Sequence, residues 1–325
     1  MAYFLSPARK FLRRKRRIKR ILLCMAAVAL AFSATPPGQA FFCKANYYLR
    51  LNDLREDSGL LEIHTIDVGK ADAILIRSQG HAALIDAGKS SSSGTVVDYL
   101  LRHNVTGLDY VVMSHPDNDH IGGMPGVLSE LPVKAFVQAE LPAALSVEGP
   151  EYADMQERIA ESQIDSLLLA PGDSMKLGAA TLTAVGPVEE FGDPNNASLV
   201  LRLDCGGFSA LFCGDMEYEA EQALIFSGQD IDVDLLKVGH HGSKTSSSLR
   251  FLWEVSPQYA VISVALDRNA LPRDEVLARL EEQGAEIYRT DTDGDIVFIY
   301  DGENTSVRLE KEEYTNYETV DYRPF

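Results

Sequence analysis

Four residues able to hold a metal ion fall within six positions, in His115-Pro116-Asp117-Asn118-Asp119-His120. Imidazole nitrogens and carboxylate oxygens are the ligands of a catalytic Zn²⁺ or Mn²⁺ centre, which leaves room for water. The apolar run Tyr110–Met113 precedes them and fits a buried strand. Alternation along an extended stretch would turn His115, Asp117 and Asp119 to one side. His120, at the turn into a helix, would reach a neighbouring position. Gly122-Gly123 lets the backbone turn and approach the site closely.

Two more clusters end apolar runs. Cys213-Gly214-Asp215 follows Phe208–Phe212, and a carboxylate there is costly unless paired or bound to a cation. His240-His241-Gly242-Ser243 follows Val233–Val238. Groups converging from three strand ends make an open nitrogen and oxygen site for two divalent ions. A hydroxide bridging such ions is a strong nucleophile near neutral pH, and the ions stabilise charge on the attacked group.

Each residue also has an ordinary structural use. Asp117 or Asp119 can cap the helix that follows, and Asp215 the helix beginning near Tyr218. Asp67 and Asp72 divide evenly between turn capping and the site's rim, and Asp86 reads as a turn or supporting residue. Lys237 is read as a carboxylate's partner, with substrate contact as the alternative. Ser243, with Thr245 and Ser246, can donate to a phosphate, but capping of the helix near Leu249 is the preferred reading. Three clusters in succession favour a site, and a metal site without catalysis is the competing class.

The positioning elements follow from the apolar pattern. Strands are expected at Leu61–Ile66, Ala73–Arg77, Ala82–Asp86, Lys134–Gln138, Thr181–Val185, Ser198–Leu203, Tyr259–Val264, Glu286–Arg289 and Ile296–Tyr300. Helices are expected at Thr95–His103, Glu151–Ser162, Tyr218–Phe226, Leu249–Val255 and Arg273–Glu282. Strand runs followed by strand–helix alternation predict an α/β fold with sheets in the middle and helices outside.

The chain has 325 residues, 46% hydrophobic, with a net charge of −18. Nine of its 30 basic residues lie in the first 40, leaving 21 against 48 acidic residues beyond them, a net of −27. A body this acidic does not attract polyanions non-specifically, which counts against extended DNA binding. The basic block ends at Arg20, an uncharged run spans Ile21–Ala34, and Gly38-Gln39-Ala40 suits cleavage. Residues 1–40 therefore read as a signal peptide or a single membrane anchor through residues 21–34, with the body exported. Residues 41–60 read as a linker, 61–302 as the hydrolase domain and 303–325 as an acidic, Tyr-rich tail. Leu22-Leu23 before Cys24 counts against lipidation. Cys43, Cys205 and Cys213 are odd in number and give no disulfide framework. A two-residue hairpin at Gly206-Gly207 pairs Cys205 with Phe208, so Cys205 and Cys213 are expected as buried free thiols.

The chain resembles the metallo-β-lactamase superfamily, and within it the hydrolase domain of ComEC-type competence proteins. The resemblance runs from about Leu61 to Gly302. It is carried by His64-Thr-Ile-Asp-Val-Gly69, Leu84-Ile-Asp-Ala-Gly88, Ser114–Gly123, Asn195–Val200, Leu211–Asp215, Leu235–Ser243 and Arg289–Gly294. It implies an αββα sandwich of two mixed β-sheets with metals at one edge. By its motif, His115 and Asp117 belong to the first of two ions, zinc or manganese, and Asp119 and His120 to the second. Asp215 bridges them. One of His240 and His241 completes the second site while the other contacts substrate or donates a proton; the working assignment puts His241 on the metal and His240, with Asp119, in catalysis. The sequence departs from the pattern at Asp117, where most of the superfamily has histidine, and at Asn195-Asn196, where the third histidine is missing. Lys70-Ala71 replaces Gln-Gly, and Leu271-Pro272 stands for His-Pro. The resemblance implies a phosphodiesterase or nuclease acting on short nucleic acid or a cell-wall phosphodiester; no obligate protein partner is inferred from the sequence. The alternatives are a lactonase or β-lactamase type of hydrolase, and a non-catalytic metal-binding surface protein.

Overall fold

Strands buried on both faces need a layer on either side, and several strands of this chain have apolar residues at consecutive positions. In the computed structural model, Ile74 and Ile76 face one core and Leu75 another; Ala83 and Ile85 separate from Leu84 in the same way. The structure describes residues 59–309 apart from 143, 144, 146, 148 and 266–270. The signal or anchor segment, Cys24, Cys43, most of the 41–60 linker and residues 310–325 lie outside the described residues.

The first sheet comprises β1 (Leu61–Thr65), β2 (Ile74–Ser78), β3 (His81–Ile85), β4 (Leu108–Val112), β5 (Val133–Ala139) and β6 (Asp165–Leu169). The second comprises β7 (Ser174–Leu177), β8 (Ala180–Gly186), β9 (Val200–Cys205), β10 (Phe208–Phe212), β11 (Leu235–Lys237), β12 (Tyr259–Ile262) and β13 (Glu286–Arg289). β14 (Ile296–Tyr300) and β15 (Thr305–Leu309) return to the first sheet, giving the order β15-β14-β1-β2-β3-β4-β5-β6 against β13-β12-β11-β10-β9-β8-β7. Helices α1 (Ser93–Arg102), α2 (Asn118–Ile121), α3 (Met124–Glu130) and α4 (Pro150–Glu161) belong to the first half. α5 (Tyr218–Ser227), α6 (Leu249–Val255), α7 (Asp274–Glu282) and α8 (Thr290–Asp293) belong to the second.

One core lies between the sheets, where Ile63, Ile76, Val112 and Val137 meet Leu182, Leu203, Phe212 and Val261. A second packs Leu75, Leu84 and Phe136 against α1, α3 and α4. A third packs Leu211, Leu236 and Ile262 against α5, α6 and α7. The result is the expected αββα sandwich. Leu75, Leu84, Leu211 and Leu236 are fully buried, each contributing about 1.5–3 kcal/mol by leaving water.

β3 through β6 run parallel, as do β10 through β13. Parallel strands leave their carboxyl ends together, and that edge is where open α/β sheets place their ligands. β3 leads to Asp86, β4 to His115, β10 to Asp215, β11 to the histidine pair and β12 to Ser263.

Most expected elements are present within a few residues. The Gly206-Gly207 hairpin pairs Cys205 with Phe208, and Cys205 and Cys213 are buried free thiols. Three strands lie outside the expectation. β6 is an edge strand whose Leu167 and Leu168 are exposed, so it lacks a buried face to mark it. β7 is only four residues long. β15 falls in the segment read as a tail; it pairs with β14 and extends the sheet past residue 302.

Candidate metal centre

The backbone after β4 stays extended only as far as Asp117, where ψ is 147°, and then coils into α2. His115 and Asp117 therefore share a side, with Nε2 and Oδ2 3.8 Å apart. Asp119 does not follow the alternation, because it lies in the helical turn. Its Oδ2 points instead to Lys70 Nζ at 3.2 Å and His241 Nε2 at 3.8 Å. Asp117 does not cap α2 with its side chain. The turn after α2 is seated on the Asp86 loop: Ala87 N–H donates to the His120 carbonyl, and Gly123 N–H to that of Gly88. A Cβ at Gly123 would run into the Ala87 carbonyl oxygen, so this approach requires glycine.

The histidine rings are oriented from behind. His120 Nδ1 lies 2.7 Å from Asp86 Oδ2. Asp86 also accepts from Ser114 N–H at 2.9 Å and Ser114 Oγ at 2.6 Å. His115 Nδ1 is 3.2 Å from Ser114 Oγ, whose proton is committed to Asp86. His241 Nδ1 is 2.9 Å from the Ser263 carbonyl, and His240 Nδ1 is 2.9 Å from Glu217 Oε1. A carboxylate or carbonyl at Nδ1 demands an N–H there, which leaves Nε2 to face inward, the usual arrangement behind metal-ligating histidines.

Those inward atoms surround Asp215. His120 Nε2 is 3.3 Å, His240 Nε2 3.6 Å and His241 Nε2 3.8 Å from its carboxylate. Ligand atoms of His115, His120 and Asp215 lie within 4.8 Å of one another, and so do those of Asp72, Asp215 and His241. Asp215 belongs to both sets, as a bridging ligand requires. A third set, Asp72, Asp86 and His120, involves groups already committed behind the rings. His115 Nε2, His120 Nε2, His241 Nε2 and Asp215 Oδ1 are buried without a hydrogen-bond partner. Buried polar atoms are rarely left so, and four converging ones fit a divalent cation.

The remaining expected residues divide. Asp72 and Lys237 are buried behind His241, with Nζ 2.8 Å from Asp72 Oδ2 and Asp72 Oδ1 3.7 Å from His241 Nδ1. Lys237 is thus a carboxylate's partner and not a substrate contact. Asp67 belongs to a turn: its Oδ1 accepts from Gly69 N–H, and its own N–H donates to Asp295. Asn196 Oδ1 accepts from the backbone N–H of Glu217 at 3.1 Å and of Ala220 at 3.4 Å, at the start of α5. Asp215 is therefore not the cap of that helix. The preferred reading of Ser243, Thr245 and Ser246 is corrected: α6 is capped by Ser248, which accepts from Phe251 N–H. Ser243 and Thr245 lie on the exposed rim, 2.9 Å apart through their hydroxyls. Lys70, expected on the rim, enters the site beside Asp119. Glu217 was not among the expected residues; its only sequence signal is an acid two positions after Asp215.

Backbone strain is concentrated here. Asp86, His240 and His241 have φ of 56°, 47° and 51°. The left-handed region costs a non-glycine residue roughly 1–2 kcal/mol. The histidine pair is held in it by His240 N–H to the Gly214 carbonyl, Ser243 N–H to that of His240 and Arg273 N–H to that of Gly242.

Burial raises the Asp215 carboxyl, but the His120 and His241 imidazoles beside it hold it well below the usual carboxylate range. Burial opposes a proton on His120, but Asp215 and Asp86 outweigh it and hold His120 well above its ordinary value. Burial pushes His241 down. Asp215 and Asp86 thus favour a proton on His120, and a cation binding there competes with it. Divalent-metal uptake at pH 7 is expected to release a proton. Apparent affinity should fall about tenfold for each unit that pH drops below the His120 pKa, for one competing proton. Zinc titrations between pH 6 and 8 in buffers of different ionisation enthalpy measure this. A pH-independent affinity would contradict it.

Residues 66–265 match the family model described as the metallo-beta-lactamase superfamily. "ComE operon protein 3" of Bacillus subtilis is 28% identical over 302 residues, covering 86% of this chain and 38% of that protein. "Competence protein ComA" of Neisseria gonorrhoeae is 31% identical over 241 residues, covering 71% of this chain and 31% of that protein. The chain thus spans well under half the length of these relatives. Among solved structures, the CmlA diiron beta-hydroxylase of Streptomyces venezuelae superposes with a TM-score of 0.51 at 12% identity, covering 73% of this chain and 54% of that one. That likeness concerns the fold alone. With the sandwich, the clusters at its strand ends and the family match together, the chain belongs to the metallo-β-lactamase superfamily, with ComEC-like competence proteins among its relatives.

Proposed function

We propose that the protein is an exported, metal-dependent phosphodiesterase acting on short or single-stranded nucleic acid or on a cell-wall phosphodiester. The observation that supports this most is the ring of unpartnered Nε2 and carboxylate atoms around Asp215, with Lys70 and His240 beside it. His115, Asp117, Asp119, His120, Asp215 and His241 would hold two divalent ions, zinc or manganese. Such ions supply a water-derived nucleophile at neutral pH and neutralise charge on the attacked group.

The chain's own residues do the rest. Asp119 Oδ2, between Lys70 and His241, orients the attacking water. Lys70 Nζ, partly exposed, offers a cation to a phosphoryl oxygen. His240, whose side chain is 23% exposed, would act as the imidazolium: with Nδ1–H held by Glu217, a second proton on Nε2 passes to the leaving oxygen as the phosphorus–oxygen bond breaks, and the ring is left neutral. Asp117 stands where the superfamily pattern has a histidine, and Asn196, whose oxygen caps α5, supplies no imidazole in place of another; a first site with one imidazole and carboxylate oxygen favours manganese over a β-lactamase zinc site.

Among the described residues no helix is long and apolar enough to cross a membrane. Export rests on the basic and apolar pattern of residues 1–40. The test is one panel: bis-p-nitrophenyl phosphate, single-stranded DNA and nitrocefin, each with Zn²⁺ and with Mn²⁺, for the wild type and Asp119→Ala. Metal-dependent turnover of the phosphodiesters, lost in Asp119→Ala, is expected. Turnover of nitrocefin alone would replace the proposal with an amide hydrolase, and full metal occupancy without turnover would make the protein a metal-binding one.

A further inference from the structure

The two adjacent histidines are supported by different chemistry. His241 is fully buried, with a neutral backbone carbonyl, that of Ser263, at Nδ1. His240 is partly exposed, with the Glu217 carboxylate at Nδ1. Thr245 Oγ1 donates to the same Glu217 oxygen at 2.8 Å, and Ser243 Oγ lies 2.9 Å from Thr245 Oγ1. Two backbone bonds tie these segments together: His240 N–H to the Gly214 carbonyl at 3.2 Å, and Tyr218 N–H to that of Thr245 at 2.9 Å.

Glu217 occupies the N-cap position of α5, yet its side chain makes no capping hydrogen bond. An acid at that position ordinarily turns back to accept the N–H groups of the first turn. Here Asn196 takes over part of that duty by accepting from Glu217 N–H and Ala220 N–H. Asn196 stands where the superfamily pattern has a histidine. The substitution supplies α5 with an outside cap, and the Glu217 carboxylate is free to face His240.

We infer that Asn196 and Glu217 form a linked positioning device, in which the Asn196 cap releases Glu217 to hold the His240 ring with Nε2 towards the substrate. It rests on the role proposed above for His240. Glu217 and Asn196 are positioning residues, for neither needs to touch substrate. Loss of the Asn196 amide gives Glu217 a reason to swing back to α5 and let His240 go. Asn196→Ala and Glu217→Ala should therefore have the same consequence, and the double variant should be no worse than either alone. Glu217→Gln keeps an amide oxygen at the same reach, accepts the Nδ1–H and should largely preserve function.

The experiment measures kcat, KM and metal content of the loaded variants on bis-p-nitrophenyl phosphate. The His240 ring tautomer is read in parallel from ¹H–¹⁵N correlation spectra of the metal-free protein, assigned with His240→Asn. Expected are a drop in kcat of about tenfold or more in Asn196→Ala and in Glu217→Ala, with KM within about twofold and metal content unchanged. The Nδ1–H signature of His240 should be weakened in both and kept in Glu217→Gln. Independent, multiplying losses in the double variant would overturn the link, as would an unchanged His240 tautomer in Glu217→Ala or a loss of metal there. If the wild type turns over no substrate, the function proposed above fails while the tautomer spectra still decide this inference.

Discussion

Asp215→Ala is expected to bring bound divalent metal down from two ions per chain to one or fewer, and to reduce turnover by roughly 10³-fold, about 4 kcal/mol of lost stabilisation. Asp215 is the one acid common to the His115–His120 set and the Asp72–His241 set. Its carboxylate lies within 3.3–3.8 Å of three histidine Nε2 atoms. No neighbour can substitute, because Asp86 and Asp72 are held behind the rings by Ser114 and Lys237. Asp215→Asn separates charge from shape: it fills the same volume with a neutral group and should also lose metal. Metal analysis by mass spectrometry, with bis-p-nitrophenyl phosphate turnover, reads both. Retention of two ions in Asp215→Ala would remove it from the bridging role.

The largest effect on stability is expected at Lys237→Met. Lys237 is fully buried, its ammonium 2.8 Å from Asp72 Oδ2 and 3.0 Å from the Val238 carbonyl. The lysine holds the Asp72 carboxyl below its ordinary range against burial, which by itself raises it. Removing one partner of a buried pair leaves the other uncompensated and costs about 3–5 kcal/mol. For a domain of this size that lowers Tm by roughly 10 °C. The damage should reach the metal centre, because Asp72 binds it through the backbone: its N–H donates to the Asp119 carbonyl and its own carbonyl accepts from Gly88 N–H. Lys237→Met with Asp72→Leu removes both charges and should recover most of the lost stability. Calorimetry of the two single variants and the double variant measures the coupling. A double variant as unstable as Lys237→Met would show that the cost is one of packing and not of charge.

Much of this was legible because apolar runs mark parallel strands buried on both faces, and such strands deliver their last residues to one edge. His115, Asp215 and the histidine pair each follow such a run, so their convergence could be read before any coordinates. The limits lie where backbone direction or side-chain reach decides. The Asp119 side chain could not be aimed from alternation, because the chain leaves the extended form after Asp117. The cap of α6 lies among several hydroxyl residues between Ser243 and Ser248, and only the fold selects Ser248. Asp72 was read as turn or rim, since nothing local announces that a lysine 165 positions away will bury its charge. Glu217 stands out only as an acid two positions after Asp215, because its partner, His240, comes from another strand end.

The central claim is that these strand ends build a two-cation hydrolytic centre. The most direct measurement is metal stoichiometry against turnover: chelated protein is titrated with Mn²⁺ or Zn²⁺ while bis-p-nitrophenyl phosphate hydrolysis is followed. Saturation at two ions per chain, with turnover appearing as the sites fill and absent from chelated protein, is the predicted result. Turnover that persists in fully chelated protein, or saturation without any cation bound at His115, His120 and Asp215, would contradict it.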